Sequence, residues 1–167
     1  MDLPRIFRHL ATTNGKVKQA FAQPTLQAIE QAIKASETSH MGEIRFVVEG
    51  ALDGPELFAL HSKSARERAI DLFAHLRIWD TEHNTGVLIY VLLADRQVEI
   101  VADRGIHAKV GDRAWTSICH AMQTAFKEGQ YQDGAVSGIL AVTHQLVEHF
   151  PAQTDNRNEL PDSPLML

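Results

Sequence analysis

The apolar positions of this chain change their period as it proceeds, and the changes mark out its elements. In "PTLQAIEQAIKASETSH" Leu26, Ile29 and Ile33 recur at helical spacing and Pro24 suits a first turn, which predicts a helix over residues 24–40. "EIRFVVEG" alternates and then runs apolar through Phe46, Val47 and Val48 between Gly42 and Gly50, the mark of a strand. One long helix follows over residues 53–78. Asp53 is its cap, Pro55 lies in its first turn, Glu56 completes a capping box, and Leu57, Leu60, Ala65, Ala69, Leu72, Phe73 and Leu76 form its inward face. "GVLIYVLL" is apolar on both faces, as a central strand covered by helices must be. After the short connection Ala94–Gln97, "VEIVA" returns antiparallel beside it.

Two further helices are predicted. Asp112 caps one striped by Trp115, Ile118, Cys119, Met122 and Phe126; Asp133 caps another striped by Val136, Ile139, Leu140, Leu146, Val147 and Phe150. Residues 1–22 form an amphipathic segment, with Leu3, Ile6, Phe7 and Leu10 on one face before an Asn14-Gly15 turn. It reads as docked on the domain or as a membrane-surface anchor. Residues 151–167 are polar and proline-dotted with no periodic face, which predicts a mobile tail. Strand, helix, strand is a right-handed crossover, so the first two strands are parallel and the sheet is mixed, within one domain at residues 23–150.

The 167 residues are 44% hydrophobic and 22% charged, which excludes disorder and fibrous repeats. A net charge of −5 argues against a nucleic-acid partner. The single cysteine, Cys119, lies in an apolar helical stripe and reads as a packed thiol. Neither a secretory core nor a spanning segment stands out, which makes the expected address cytoplasmic. The histidines lack zinc spacing, and Trp79 and Trp115 read as core anchors.

The topology also gathers charge. "WDTEHNTG" precedes the second strand and Asp103 ends the third, so hairpin pairing brings Asp80, Glu82, Asn84, Asp103, Arg104 and His107 to one edge of the sheet, near the helix capped by Asp112. Oxygen ligands there would suit Ca²⁺ or Mg²⁺, and Arg104 would suit phosphate. The alternative is structural: Asp80 and Asp112 as caps, Arg104 as an ion-pair partner. Asp53 and Asp95 fall toward the opposite edge, where a cap and a turn explain them.

Asn84, Gly86, Val87 and Leu88 opening a central strand, Asp95, Arg96, Val98 and Ile100 in the hairpin, Gly105 before Asp112, and Gly129, Tyr131 and Gly134 later in the chain occur together in that order. Over residues 25–150 this pattern resembles the TPM domain family. The resemblance implies a three-layer α/β/α sandwich on a small mixed sheet. Relatives include a thylakoid-lumen protein of photosystem repair, described acid phosphatases, calcium binders and exported, membrane-tethered bacterial proteins. Here Asp103 replaces the first glycine of the usual Gly-x-Gly and His107 an acidic residue. The expected function is a binding or assembly module with Ca²⁺ or Mg²⁺ held at the acidic edge by Asp80, Glu82, Asn84, Asp103 and Asp112. Its expected partner is an unidentified protein, membrane-associated if the basic N-terminal helix makes the contact. The alternative is a metal-dependent acid phosphatase using Asp112 and Arg104.

Overall fold

A computed structural model describes residues 3–52, 54, 57, 63–153 and 157–167. Among these described residues, seven named helices pack on a four-stranded mixed sheet. The helices are α1 (Leu3–Ala11), α2 (Asn14–Ala20), α3 (Gln23–Ser36), α4 (Ala65–His75), α5 (Arg104–Val110), α6 (Asp112–Lys127) and α7 (Tyr131–His149); the strands are β1 (Glu43–Glu49), β2 (Gly86–Leu92), β3 (Gln97–Ala102) and β4 (Leu165–Met166). Strand order is β3-β2-β1-β4. β1 and β2 run parallel from Glu43↔Gly86 to Glu49↔Leu92, and β3 returns antiparallel from Leu92↔Gln97 to Val87↔Ala102, both as the sequence predicts.

Every residue of β1 and β2 is buried because helices cover both faces of the sheet. On one face Ile44, Phe46, Val48, Val87, Ile89 and Val91 meet Ile29 and Ile33 of α3, Met122 of α6, and Ile139, Val142 and Leu146 of α7. On the other, Val47, Leu88, Tyr90 and Leu92 meet Ile6 of α1 and Ala69 and Leu72 of α4. Three layers result.

Period-two alternation puts Glu43, Arg45 and Glu49 on the second face with Val47, and each buried charge has partners. Arg68 of α4 donates to both Glu49 carboxylate oxygens at 2.9 and 2.8 Å, and the Tyr90 hydroxyl donates to one of them at 2.6 Å. Burial and the adjoining Glu49 carboxylate push the Tyr90 phenol above its ordinary range. The chain beyond Pro151, expected to be mobile, is instead tied down over residues 157–167. Arg45 donates to the carbonyls of Pro161 (2.8 Å) and Ser163, and Leu165–Met166 pairs parallel with Val47–Val48. Ladder bonds, the Arg45 guanidinium, the Glu43 carboxylate and the scattered apolar side chains Leu160, Leu165 and Met166 hold this segment, and none of these sets up an apolar period.

Other expectations are corrected. The predicted long helix is interrupted, since Lys63 and Ser64 are not helical and Ser64 starts α4 with a capping box of its own. Its hydroxyl accepts the Glu67 amide at 3.2 Å, and Glu67 accepts the Ser64 amide at 2.7 Å. Asp53, Pro55 and Glu56 lie outside the described residues. The helix predicted to Residue 40 stops at Ser36, and Asn14-Gly15 opens α2 instead of turning, because Thr13 caps it. Asp112 and Asp133 stand inside the first turns of α6 and α7, whose caps are Gly111 and Gln130. Trp115 is a core anchor, but Trp79 is 47% exposed; it donates to the Ala74 carbonyl and lies beneath Arg77. Leu140 and Val147, expected in the core, are also exposed.

The tail seat is acidic. Glu43 accepts the amides of Glu159 (3.1 Å) and Leu160 (3.2 Å), while Asn158 bridges Glu37 (3.2 Å) and Asp162 (2.7 Å). Burial, with Glu43 and Asp162 nearby, pushes the Glu37 carboxyl up to about 8, and burial pushes Glu43 up to about 7. Both folded values exceed the ordinary 4.5, so the stability these groups add is complete below that pH and is lost as pH rises through about 7 and 8. Hydrogen-exchange protection of the Leu167 amide, which donates to Val48, should therefore fall from about pH 5 to about pH 8, between the ordinary and the folded values, and level off above, after correction for intrinsic exchange. In Glu37→Gln the decline should be shallower.

Candidate functional site

The hairpin closes where the sequence places it: the Asp103 amide donates to the Gly86 carbonyl at 2.8 Å, joining the end of β3 to the start of β2. Asn84 turns the chain there with φ of 54°, a left-handed conformation asparagine tolerates better than most residues. Arg104 donates from Nε and Nη2 to the Asn84 side-chain oxygen at 3.3 and 3.2 Å, and the Ile106 amide donates to the Asn84 carbonyl at 3.3 Å. Gly105 is required by this closeness, since a Cβ there would lie 2.5 Å from the Asn84 carbonyl oxygen. Asp103 is buried and caps α5, its Oδ1 accepting the Arg104 amide at 2.7 Å; its Oδ2 has no hydrogen-bond partner among the described residues.

Asn84, Asp103 and Arg104 thus meet. The other expected ligands have different surroundings. Asp80 is exposed and pairs with Arg77 at 3.6 Å. Glu82 is exposed, and its amide donates to the Glu159 carboxylate at 3.2 Å. The Asp112 side chain is 89% exposed, 3.7 Å from His107. Among the described residues no group of three or more His, Cys, Asp or Glu is placed to hold a metal ion. With Arg104 already on the Asn84 oxygen, the rim does not fit the cage of about six to eight oxygens that Ca²⁺ takes.

A concavity that reaches His107 and Asp112 lies along the free edge of β3, a feature the sequence reading did not single out. A cleft of about 340 Å³ runs beside Gln97–Ile100, flanked by Arg66 of α4, by His107 and Asp112, and by Trp115, Cys119 and His120 of α6. Hairpin pairing turns the backbone groups of Val98 and Ile100 outward, alternate to the inward-bonded residues. Arg66 caps part of that edge by donating to the Ile100 carbonyl, and lies 3.7 Å from Glu99. Burial raises the Glu99 carboxyl from its ordinary value despite the Arg66 charge. Trp115 is 4% exposed, and its indole N–H has no acceptor among the described residues. Burial, and then the Glu99 charge, push the Cys119 thiol up to about 11, leaving a packed thiol and not a nucleophile. The available sequence signal was topological: a strand placed last in a hairpin, with no later strand beside it, is an edge.

Compared with known families, the chain matches the family model described as the TPM domain (TPM_phosphatase) over residues 17–145. This chain belongs to the TPM domain family. Its structure is similar to that of the BA42 protein from the psychrophilic bacterium Bizionia argentinensis, with TM-score 0.75 and 32% identity over 86% of this chain and 93% of that one. The N-terminal domain of a P. gingivalis protein shares the fold, with TM-score 0.61 and 20% identity over 79% of this chain and 82% of that one. No curated protein matched. Among the described residues of this TPM domain, no helix is long and apolar enough to cross a membrane.

Two outcomes follow from the rim and cleft of this TPM domain. Gly105→Ala forces backbone apart at Asn84 and should cost about 2–3 kcal/mol in urea unfolding, an overpacking penalty. Cys119 should react with an aromatic disulfide reagent at pH 8 at least about tenfold more slowly in the native protein than in denaturant, given its burial and raised pKa.

Proposed function

We propose that this TPM domain is a binding module that accepts an extended polypeptide segment along the free edge of β3. The cleft beside Gln97–Ile100 carries this reading, because it presents outward backbone groups between two walls of side chains. Adding a strand there would pair with the outward Val98 backbone, and a carbonyl entering the cleft would supply the acceptor that the Trp115 indole lacks among the described residues. Arg66, Glu99 and His120 would select polar side chains at alternate positions of the segment. Arg66 guards the edge in the unbound protein and would leave the Ile100 carbonyl when a strand arrives.

Catalysis has less support, since among the described residues the cleft shows no nucleophile hydrogen-bonded to a base, and burial raises its cysteine thiol. A second reading, weak Ca²⁺ or Mg²⁺ contact with low phosphatase activity at Asn84, Asp103 and Arg104, is favoured by the name of the matching family model and by the partnerless Asp103 oxygen. Calcium-dependent amide shifts at these residues, and metal-dependent hydrolysis of an aryl phosphate lost in Asp103→Asn, would support that reading.

The edge reading is tested by selecting peptides from a random library. Bound peptides should shift the Val98 and Ile100 amides and lose at least about tenfold in affinity with Val98→Pro, which removes an outward N–H while sparing the ladder to β2. Gln123→Trp, which narrows the cleft from α6, should have the same effect. Peptides that bind elsewhere, or none selected, would defeat it.

A further inference from the structure

The N-terminal helix docks with its polar side inward. Arg5 donates to Asp95 from Nε at 3.1 and 2.9 Å and from Nη2 at 2.7 Å, and Arg5 also donates to the Lys63 carbonyl at 2.8 Å. His9 completes the grip: Leu52 N–H donates to its Nδ1 at 3.0 Å, which puts the ring hydrogen on Nε2, 3.0 Å from Asp95 Oδ1. Burial by itself would raise the Asp95 carboxyl, but the hydrogen bonds from Arg5 and His9 outweigh it and hold Asp95 below its ordinary value. Arg5 and His9, four residues apart, therefore define the docked face, with Ile6 at its border.

Leu3, Phe7 and Leu10, spaced by four and three, share the remaining face and are 58%, 70% and 66% exposed. A helix packed only for stability in water would point these residues at the core. Around them the charge is of one sign. From Leu3 to Ile29 the chain has two arginines, two lysines and no aspartate or glutamate, although the whole protein carries −5. Arg8, Lys16 and Lys18 are exposed.

We infer that the Leu3, Phe7 and Leu10 face of α1, bordered by Arg8, Lys16 and Lys18, seats the protein on an anionic phospholipid bilayer. Apolar side chains at the acyl boundary and cations at the headgroups are the two contributions that bind an interfacial helix. The alternative cover, a second copy, fits less well. Three side chains of this size offer on the order of 400 Å², against roughly 800 Å² per partner in a stable interface, and a symmetric contact would set Arg8 against Arg8. Because Asp95 holds α1 by Arg5 and His9, the lipid-facing side chains are presented without the helix leaving the domain.

Flotation with vesicles of equimolar phosphatidylcholine and phosphatidylglycerol, compared with pure phosphatidylcholine, tests this on the full chain. Binding should occur on the anionic vesicles at low salt and weaken with added salt. It should fall by about tenfold or more in Phe7→Asp and in Leu10→Asp. An unchanged backbone amide spectrum would show each variant folded, and Val98→Pro should float like the parent, separating this contact from the β3 edge. No flotation on anionic vesicles, or flotation indifferent to both substitutions, overturns the inference. So does concentration-dependent self-association abolished by Phe7→Asp without vesicle binding.

Discussion

Helices on both faces of β1 and β2 leave no water for any side chain of the two central strands, and that constraint organises the rest of the molecule. A charge on such a strand persists only with a partner brought to it. Glu49 recruits Arg68 and so fixes how α4 lies across the sheet; Arg45 and Glu43 recruit the backbone of residues 159–163 and so fix the tail. Charges without such partners are displaced to the margins of the sheet, where both the Asn84–Arg104 rim and the β3 cleft lie.

The two margins differ in chemistry. At the rim, Arg104 is engaged with Asp103 beside it and with Asn84 across the hairpin, and one oxygen of Asp103 has no partner among the described residues. That arrangement locks a turn. At the cleft, the polar groups are backbone atoms of an edge strand and side chains from three separate elements, which suits recognition of another chain better than bond cleavage. Asp103 illustrates how one side chain directs local structure: its carboxylate supplies a helix cap, and α5 starts from it.

The sheet was legible because its information is local: apolar runs for β1 and β2, a short connection for the hairpin, and a crossover rule for their direction. The same rules brought Asn84, Asp103 and Arg104 together. They did not place Asp80 or Asp112, because these exposed carboxylates take neighbours such as Arg77 and His107 that topology does not specify. The Ser64–Glu67 box was readable as Ser-x-x-Glu, but the apolar stripe on both sides of it reads as one continuous helix. β4 had no signature, being two residues whose pairing depends on Arg45 far away in sequence. The inward Arg5 and His9 were equally hidden, since periodicity assigns the apolar face of α1 to the core.

The pairing of β4 with β1 has a consequence during synthesis. Ser163, which receives Arg45, leaves the ribosome 118 residues after it. Through that interval the outer backbone of β1 is an open strand edge with an apolar face of Ile44, Phe46 and Val48, the situation that invites pairing between nascent chains. Translation that stalls before Leu165 would leave a protein with most of its core assembled and its most adhesive margin uncovered.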